Sequence, residues 1–365
     1  VERNVEPGFI FFHQHVNGFE LRRFPLGANL GIIMNSLFSK FVGTTLFLGF
    51  LACLAALTPS HQIYANPAQW DWEWPKTDFT KKSVDFGEIL SGGVPKDGIR
   101  SIDNPEFMDI KEAKSLPRTM PVLSFELNGE AKAYPLGILT RAEIVNDRVG
   151  GVPVTVTYCP LCNSAIVFDA RVDGERHEFG VSGKLRNSDM IMYDRTTESW
   201  WQQFQGEAIV GKYTGKLLKM LPSRLESVEK FTERFPNGKI LHVRGRVFNY
   251  NPYGGYDSSS VPFLYQGELP KNIGALKRVI AIGDEAWSLD LLRQKKRIEK
   301  DDLVLTWSPG QNSAMDTPDI SQGKDVGNVV VQRKTDRGLM DEVHDVTFAF
   351  VFHAFRPNGT LHHTK

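Results

Sequence analysis

The sequence predicts a mainly β fold, α+β with only a few short helices, built from an internally duplicated β-rich unit. Three observations lead there. Short alternating or β-branched runs dominate the chain beyond about residue 119. Helical periodicity is confined to a few brief windows. Three strings also recur in the same order: Ala133-Tyr134-Pro135-Leu136 with Ala286-Trp287-Ser288-Leu289, Thr157-Tyr158-Cys159-Pro160 with Thr306-Trp307-Ser308-Pro309, and Phe235-Pro236-Asn237-Gly238 with Arg356-Pro357-Asn358-Gly359.

Taken in order, residues 66–118 are turn-rich, with Trp70-Asp71-Trp72-Glu73-Trp74-Pro75 and a Gly/Pro stretch at 91–98, so they are expected to pack across a domain. Residues 121–127, Asn128-Gly129 and 130–134 spell a hairpin, because Asn-Gly accepts the left-handed backbone of a tight turn. Residues 136–142 predict a short helix. Runs 152–158 and 164–168 are strands flanking a cysteine turn, and 177–181, 190–193 and 208–210 are further strands. Helices are expected over 227–235 and 286–294. The organisation predicted is a first repeat over 119–270 and a shorter second repeat over 271–365.

Composition excludes some classes. With 41% hydrophobic and 24% charged residues the chain can bury a core. Its 43 basic and 43 acidic residues balance, so no basic field points to nucleic acid. Met34-Asn35-Ser36-Leu37-Phe38-Ser39-Lys40, the apolar run 41–57 and Ile63-Tyr64-Ala65 before Asn66 read as a signal peptide over 34–65. Residues 1–33 then read as a mis-assigned upstream start. The expected location is periplasmic or extracellular, with membrane contact only through an uncleaved signal segment. Cys53 falls inside that segment, leaving two cysteines for the exported part.

Those two lie in Tyr158-Cys159-Pro160-Leu161-Cys162-Asn163. Pro160 fixes φ and Asn163 tolerates a left-handed turn, so the repeat predicts that the turn's shape is scaffold. Aligned directly, Cys159 and Cys162 become Ser308 and Gln311 in the second copy. The fold therefore does not need the thiols. A Cys-Pro-x-Cys knuckle between strands suits a metal, with both sulfurs entering one centre. Zinc would draw further ligands from His177, His242, His344 or His353. Copper(I) needs fewer and softer donors, and Met190 or Met192 could add a thioether, although core filling is the common fate of methionine. The metal set expected is Cys159, Cys162 and Met192, with copper preferred to zinc. A second reading is a thiol–disulfide oxidoreductase, Cys159 attacking and Cys162 resolving, but a strand after Cys162 denies the thiolate a helix N-terminus. A third is a ligand- or partner-binding module with an incidental structural disulfide, Trp200 and Trp201 lining its surface. So short a loop adds only about 2 kcal/mol when closed.

Further strings resemble a known family: Lys96-Asp97-Gly98-Ile99-Arg100-Ser101-Ile102-Asp103, Glu143-Ile144-Val145-Asn146-Asp147, the Tyr158–Cys162 turn, Phe179-Gly180-Val181-Ser182-Gly183, and Asn187-Ser188-Asp189-Met190-Ile191-Met192-Tyr193-Asp194-Arg195. From about residue 84 onward the chain resembles the domain of unknown function 3179 family. The resemblance implies an exported protein marked by the Cys-Pro-Leu-Cys turn and implies no reaction. It departs from the family at Ala142, where a His is usual, and at Asn163, where Gly is usual.

Other candidates carry less. Gly180–Lys184 lacks the glycine and hydroxyl of a phosphate loop, and Ser182 lacks a nucleophile's elbow. Asp189, Asp194 and Glu198 form a possible acid–base set, and Asp189 is counted with Tyr158, Pro160 and Asn163 as support for the thiols. His362 and His363 are expected to be disordered, and Asn358-Gly359-Thr360 is discounted as a glycan site.

Overall fold

A computed structural model describes residues 70–113, 115–243 and 251–364. The signal-peptide reading, the upstream start and Cys53 lie outside the described residues. The first unit opens with the expected hairpin, β1 (Pro121–Leu127) and β2 (Glu130–Pro135), and runs directly into α1 (Leu136–Ala142). Three antiparallel strands follow: β3 (Ile144–Val149), β4 (Val152–Cys159) and β5 (Ser164–Asp169). A second sheet is then inserted, in which β6 (Phe179–Arg186), β7 (Asp189–Asp194), β8 (Trp200–Gln202) and β9 (Glu207–Val210) are antiparallel neighbours. The chain returns through β10 (Arg224–Ser227) antiparallel to β1, then α2 (Val228–Arg234), then β11 (Lys239–His242) parallel to β2.

The second unit repeats this path. Hairpin β12 (Arg278–Ile282) and β13 (Glu285–Ser288) enters α3 (Leu289–Lys295) and continues into β14 (Arg297–Lys300), β15 (Leu303–Ser308) and β16 (Asn328–Thr335). It ends with β17 (Asp345–Phe348) antiparallel to β12, α4 (Ala349–Phe355), and β18 (Thr360–His362) parallel to β13. The duplication extends to individual bonds. Each first helix stops on a residue in the left-handed region, Glu143 (φ 58°) and Lys296 (φ 63°). The carbonyls of those residues accept the amides of Tyr158 and Trp307 at 2.8 and 3.0 Å.

Among the described residues the four α-helices each span seven residues, too short to persist alone, so burial holds them. In the Pro-Asn-Gly turns after α2 and α4, a Cβ on Gly238 would sit 2.5 Å from Phe231 Cζ, and one on Gly359 2.7 Å from Phe352 Cζ. Gly238→Ala and Gly359→Ala should each cost about 1–3 kcal/mol by overpacking. Urea unfolding measures this, and parental stability in both variants would contradict the shared packing.

One correspondence fails. Cys159 pairs across a tight turn with Ser164, whereas Ser308 pairs with Asn328. Residues 309–327 therefore make a long excursion in the second unit, and Gln311 is not the counterpart of Cys162. The echo in Asn312-Ser313-Ala314 lies within that excursion, and the second copy preserves the strand but not the tight turn.

Trp200 and Trp201 are both fully buried, on opposite faces of β8. Trp200 packs edge-on to Trp74 at 5.1 Å and joins the aromatic cluster that fastens the N-terminal segment to the sheet. Trp201 lies in the main core. Neither lines an outer binding surface, because such large apolar area is worth more inside. Terminal His362 is ordered, stacked on Trp287 at 4.9 Å with Nε2 2.9 Å from Glu285. Among the described residues no helix is long and apolar enough to cross a membrane.

Candidate metal centre

The thiol turn is held from both repeats. Within it, the Cys162 amide donates to the Cys159 carbonyl at 3.2 Å and Asn163 takes φ 50°. Asn163 Nδ2 donates to the Val346 carbonyl at 2.7 Å, and its Oδ1 accepts from the Tyr158 hydroxyl at 3.2 Å. From β17, the Phe348 amide and the Thr347 hydroxyl donate to the Cys162 carbonyl at 3.1 and 2.8 Å, while Asp345 Oδ1 accepts from the Ala165 amide at 3.0 Å. The second repeat has no thiols of its own and braces those of the first.

Opposite this turn lies the connection between β6 and β7. Asn187 and Ser188 both have positive φ, 52° and 63°, the pattern of a tight primed hairpin turn. That geometry presents the Ser188 carbonyl to Cys162 Sγ at 3.5 Å and Cys159 Sγ at 3.8 Å. It also brings in Asp189: one donor atom from each of Cys159, Cys162 and Asp189 lies within 4.8 Å of the others. Tetrahedral ligands on zinc, at about 2.3 Å for sulfur, stand roughly 3.8 Å apart, so small adjustments suffice.

Both thiols are free and buried. Asp189 Oδ2 accepts from Gln202 Nε2 at 2.7 Å and the Phe204 amide at 2.9 Å, while Oδ1 meets no nitrogen or hydroxyl donor among the described residues and the two thiols are the remaining partners of the carboxyl. Burial weakens the acids throughout, raising the pKa of Asp189 to about 6, of Glu143 to about 8 with help from the Asp189 charge, and of Asp345 to about 7. Burial also pushes both thiols up, Cys162 well up. Among the described residues, the nitrogen donors to the Asp189 carboxyl are amide groups and not a lysine or arginine. Arg278, which acts on neighbouring Tyr158, is itself paired with Asp257 at 3.0 Å. Burial of this kind favours a bound proton or cation on the carboxyls.

The segment after residue 250 covers the site. The Ser188 hydroxyl donates to the Phe263 carbonyl at 2.5 Å, and the Phe263 amide donates to the Tyr256 hydroxyl at 3.1 Å. Tyr253 and Tyr256 are electrostatic neighbours of Cys159.

Other sequence candidates lie elsewhere. Met190 and Met192 are buried in the main core, which also holds Cys159 and Cys162, and Met192 pairs in register with Val181 and Trp201. Asp194 accepts the Thr197 amide at 2.7 Å and Trp201 Nε1 at 3.1 Å, and Glu198 meets Lys96 Nζ at 2.7 Å. Both are structural. The Ser182 hydroxyl donates to the Ile191 carbonyl and accepts the Lys184 amide inside a strand bulge, so residues 180–184 form no phosphate loop. His177 lies 3.6 Å from Asp194, and His344 Nδ1 2.9 Å from the Glu342 carbonyl. Among the described residues no histidine joins the cysteine group. Sequence reasoning missed Glu143, Asp345, Tyr253 and Tyr256. Only Glu143 left a trace, as an acid where the second copy has Lys296.

No curated protein matches this chain, and no solved structure does either. The sequence profile described as "Protein of unknown function (DUF3179)" matches residues 96–359, which include the thiol turn, Asp189 and all but the last strand of the repeats. With most of its length matched, the chain belongs to the DUF3179 family.

Proposed function

We propose that this is an exported metal-holding protein whose first repeat binds a thiophilic cation through Cys159, Cys162 and Asp189. One observation carries the reading: two free thiols and a carboxylate converge within 4.8 Å in a buried place. The carboxylate favours zinc over copper(I), since oxygen donors suit the harder divalent ion. Copper(I) is the second reading, because two thiolates alone satisfy it. The closed surroundings suit holding an ion acquired during folding rather than turning over a substrate. They weigh against thiol–disulfide exchange, which needs a sulfur open to attack and largely ionised.

Protein purified without chelator should contain stoichiometric zinc by elemental analysis. Cys159→Ser and Cys162→Ser should abolish binding, and Asp189→Asn should weaken it by roughly 10–100-fold. Copper(I) in place of zinc would select the second reading. A reduced, folded wild-type protein that takes up neither metal would overturn the proposal, and insulin-reductase activity lost in both serine variants would replace it with the oxidoreductase reading.

A further inference from the structure

The turn between β6 and β7 offers the thiols a second oxygen besides the Asp189 carboxyl. Asn187 and Ser188 are the two loop residues of a hairpin in which Arg186 pairs with Asp189. Both hold positive φ, 52° and 63°. In such a turn the second loop position is usually glycine, because a side chain there costs about 1–2 kcal/mol. What serine adds is an anchor. Ser188 is fully buried, and its hydroxyl donates to the Phe263 carbonyl at 2.5 Å. The Phe263 amide in turn donates to the Tyr256 hydroxyl at 3.1 Å. The turn is thereby tied to the segment that covers the site, which fixes the aim of its backbone carbonyl.

That carbonyl points at both sulfurs, 3.5 Å from Cys162 Sγ and 3.8 Å from Cys159 Sγ. A tetrahedral ion with sulfur at about 2.3 Å and oxygen at about 2.0–2.2 Å sets the two donors roughly 3.6 Å apart. Both distances already lie close to that edge. As thiols, the cysteines donate to the carbonyl. As thiolates, the form a metal takes, they lose those protons. Two negative sulfurs and a carbonyl oxygen then face one another in a buried place, and a cation between them removes the repulsion.

We infer that the Ser188 backbone carbonyl is the fourth ligand of the proposed centre, completing a two-sulfur, two-oxygen shell with Cys159, Cys162 and Asp189. The inference rests on the metal-holding reading. Structural zinc sites take four protein ligands, whereas catalytic ones leave a position for water. With the carbonyl in place no position stays open, and the ion serves as a clip. Two ligands come from the turn joining β4 to β5 and two from the turn joining β6 to β7. The ion therefore fastens the inserted sheet to the sheet of the first repeat.

The test loads the reduced full-length protein with zinc. X-ray absorption should show two sulfurs at about 2.3 Å and two oxygens at about 2.0–2.2 Å. Ser188-Asp189 is the one Ser-Asp pair in the sequence, so carbonyl-13C serine combined with 15N aspartate gives a single carbonyl correlation by NMR. Zinc should move that carbon downfield, because a bound cation polarises the carbonyl more than a thiol does. An upfield move, the mark of thiol hydrogen bonds lost with nothing in their place, would overturn the assignment, as would no move at all. Ser188→Gly keeps the carbonyl and the positive φ but frees the anchor, so it should lose roughly 10–100-fold in zinc affinity. Copper(I), held by the sulfurs alone, should bind this variant as it binds the wild type. Unchanged zinc affinity, or equal losses for the two metals, would overturn the anchoring role of Ser188. A wild type that takes up no zinc would instead sink the metal reading itself.

Discussion

In the presence of a chelator, the protein should lose thermal stability as pH rises from roughly 5 to 8, by several kcal/mol in total. Glu143, Asp189 and Asp345 are held by burial at about 8, 6 and 7, against ordinary values of 4.5 for the first and 3.8 for the other two. Across that window the folded chain keeps protons that the unfolded chain releases. Stability is thus fully present below the ordinary carboxylate range and is lost as pH climbs through the folded values. A tenfold difference in acidity between the folded and unfolded chain is worth about 1.4 kcal/mol, and the three groups are close enough to titrate together. Acids held low act in the opposite sense. Although burial opposes it, Arg278 holds Asp257 below its ordinary value, and Arg224 does the same for Asp341. Their contribution is lost only as pH falls below about 4. Saturating zinc should flatten or reverse the alkaline loss, because the ion replaces the protons. Melting temperatures of chelated protein, recorded across the window with and without zinc, measure this. A metal-free profile that stays level or rises would show the buried acids to be better solvated than their surroundings imply.

Asn163→Ala should destabilise the protein by about 3 kcal/mol and loosen the thiol turn. Alanine pays about 1–2 kcal/mol to hold a positive φ, and removing the side chain strands the buried Val346 carbonyl and Tyr158 hydroxyl, at about 1–3 kcal/mol for a buried polar group. Asn163→Gly keeps the backbone free to adopt φ 50° and should lose only the side-chain bonds. Urea unfolding of the two variants separates the terms. Equal losses would mean that backbone strain plays no part at this residue. Since Asn163 ties the turn to β17, both variants should also weaken metal retention, measurable by competition with a chromogenic chelator.

Much of the fold was legible because its signals are local. The Asn128-Gly129 hairpin, the strands around the cysteine turn and three of the short helices follow from alternation, periodicity and turn chemistry, whereas α4 was not expected. The Pro-Asn-Gly strings did mark equivalent corners, because each glycine passes under a phenylalanine of the preceding helix. The Thr306–Ala314 echo misled beyond Ser308, since a sequence match cannot show that the pairing partner has moved to Asn328. Trp200 and Trp201 misled for a related reason: adjacent strand residues face opposite ways, and here both faces are covered.

The sequence by itself determined the family, the β-rich duplicated architecture and the pair of thiols, because each is written in neighbouring residues or in order along the chain. Tertiary structure alone decided what surrounds those thiols. Asp189 arrives on a hairpin of the inserted sheet, Glu143 on a helix end, and Asp345 from the other repeat. Burial and electrostatic coupling depend on distance through space, and it is their convergence that turns ordinary carboxyl groups into a site poised for a cation.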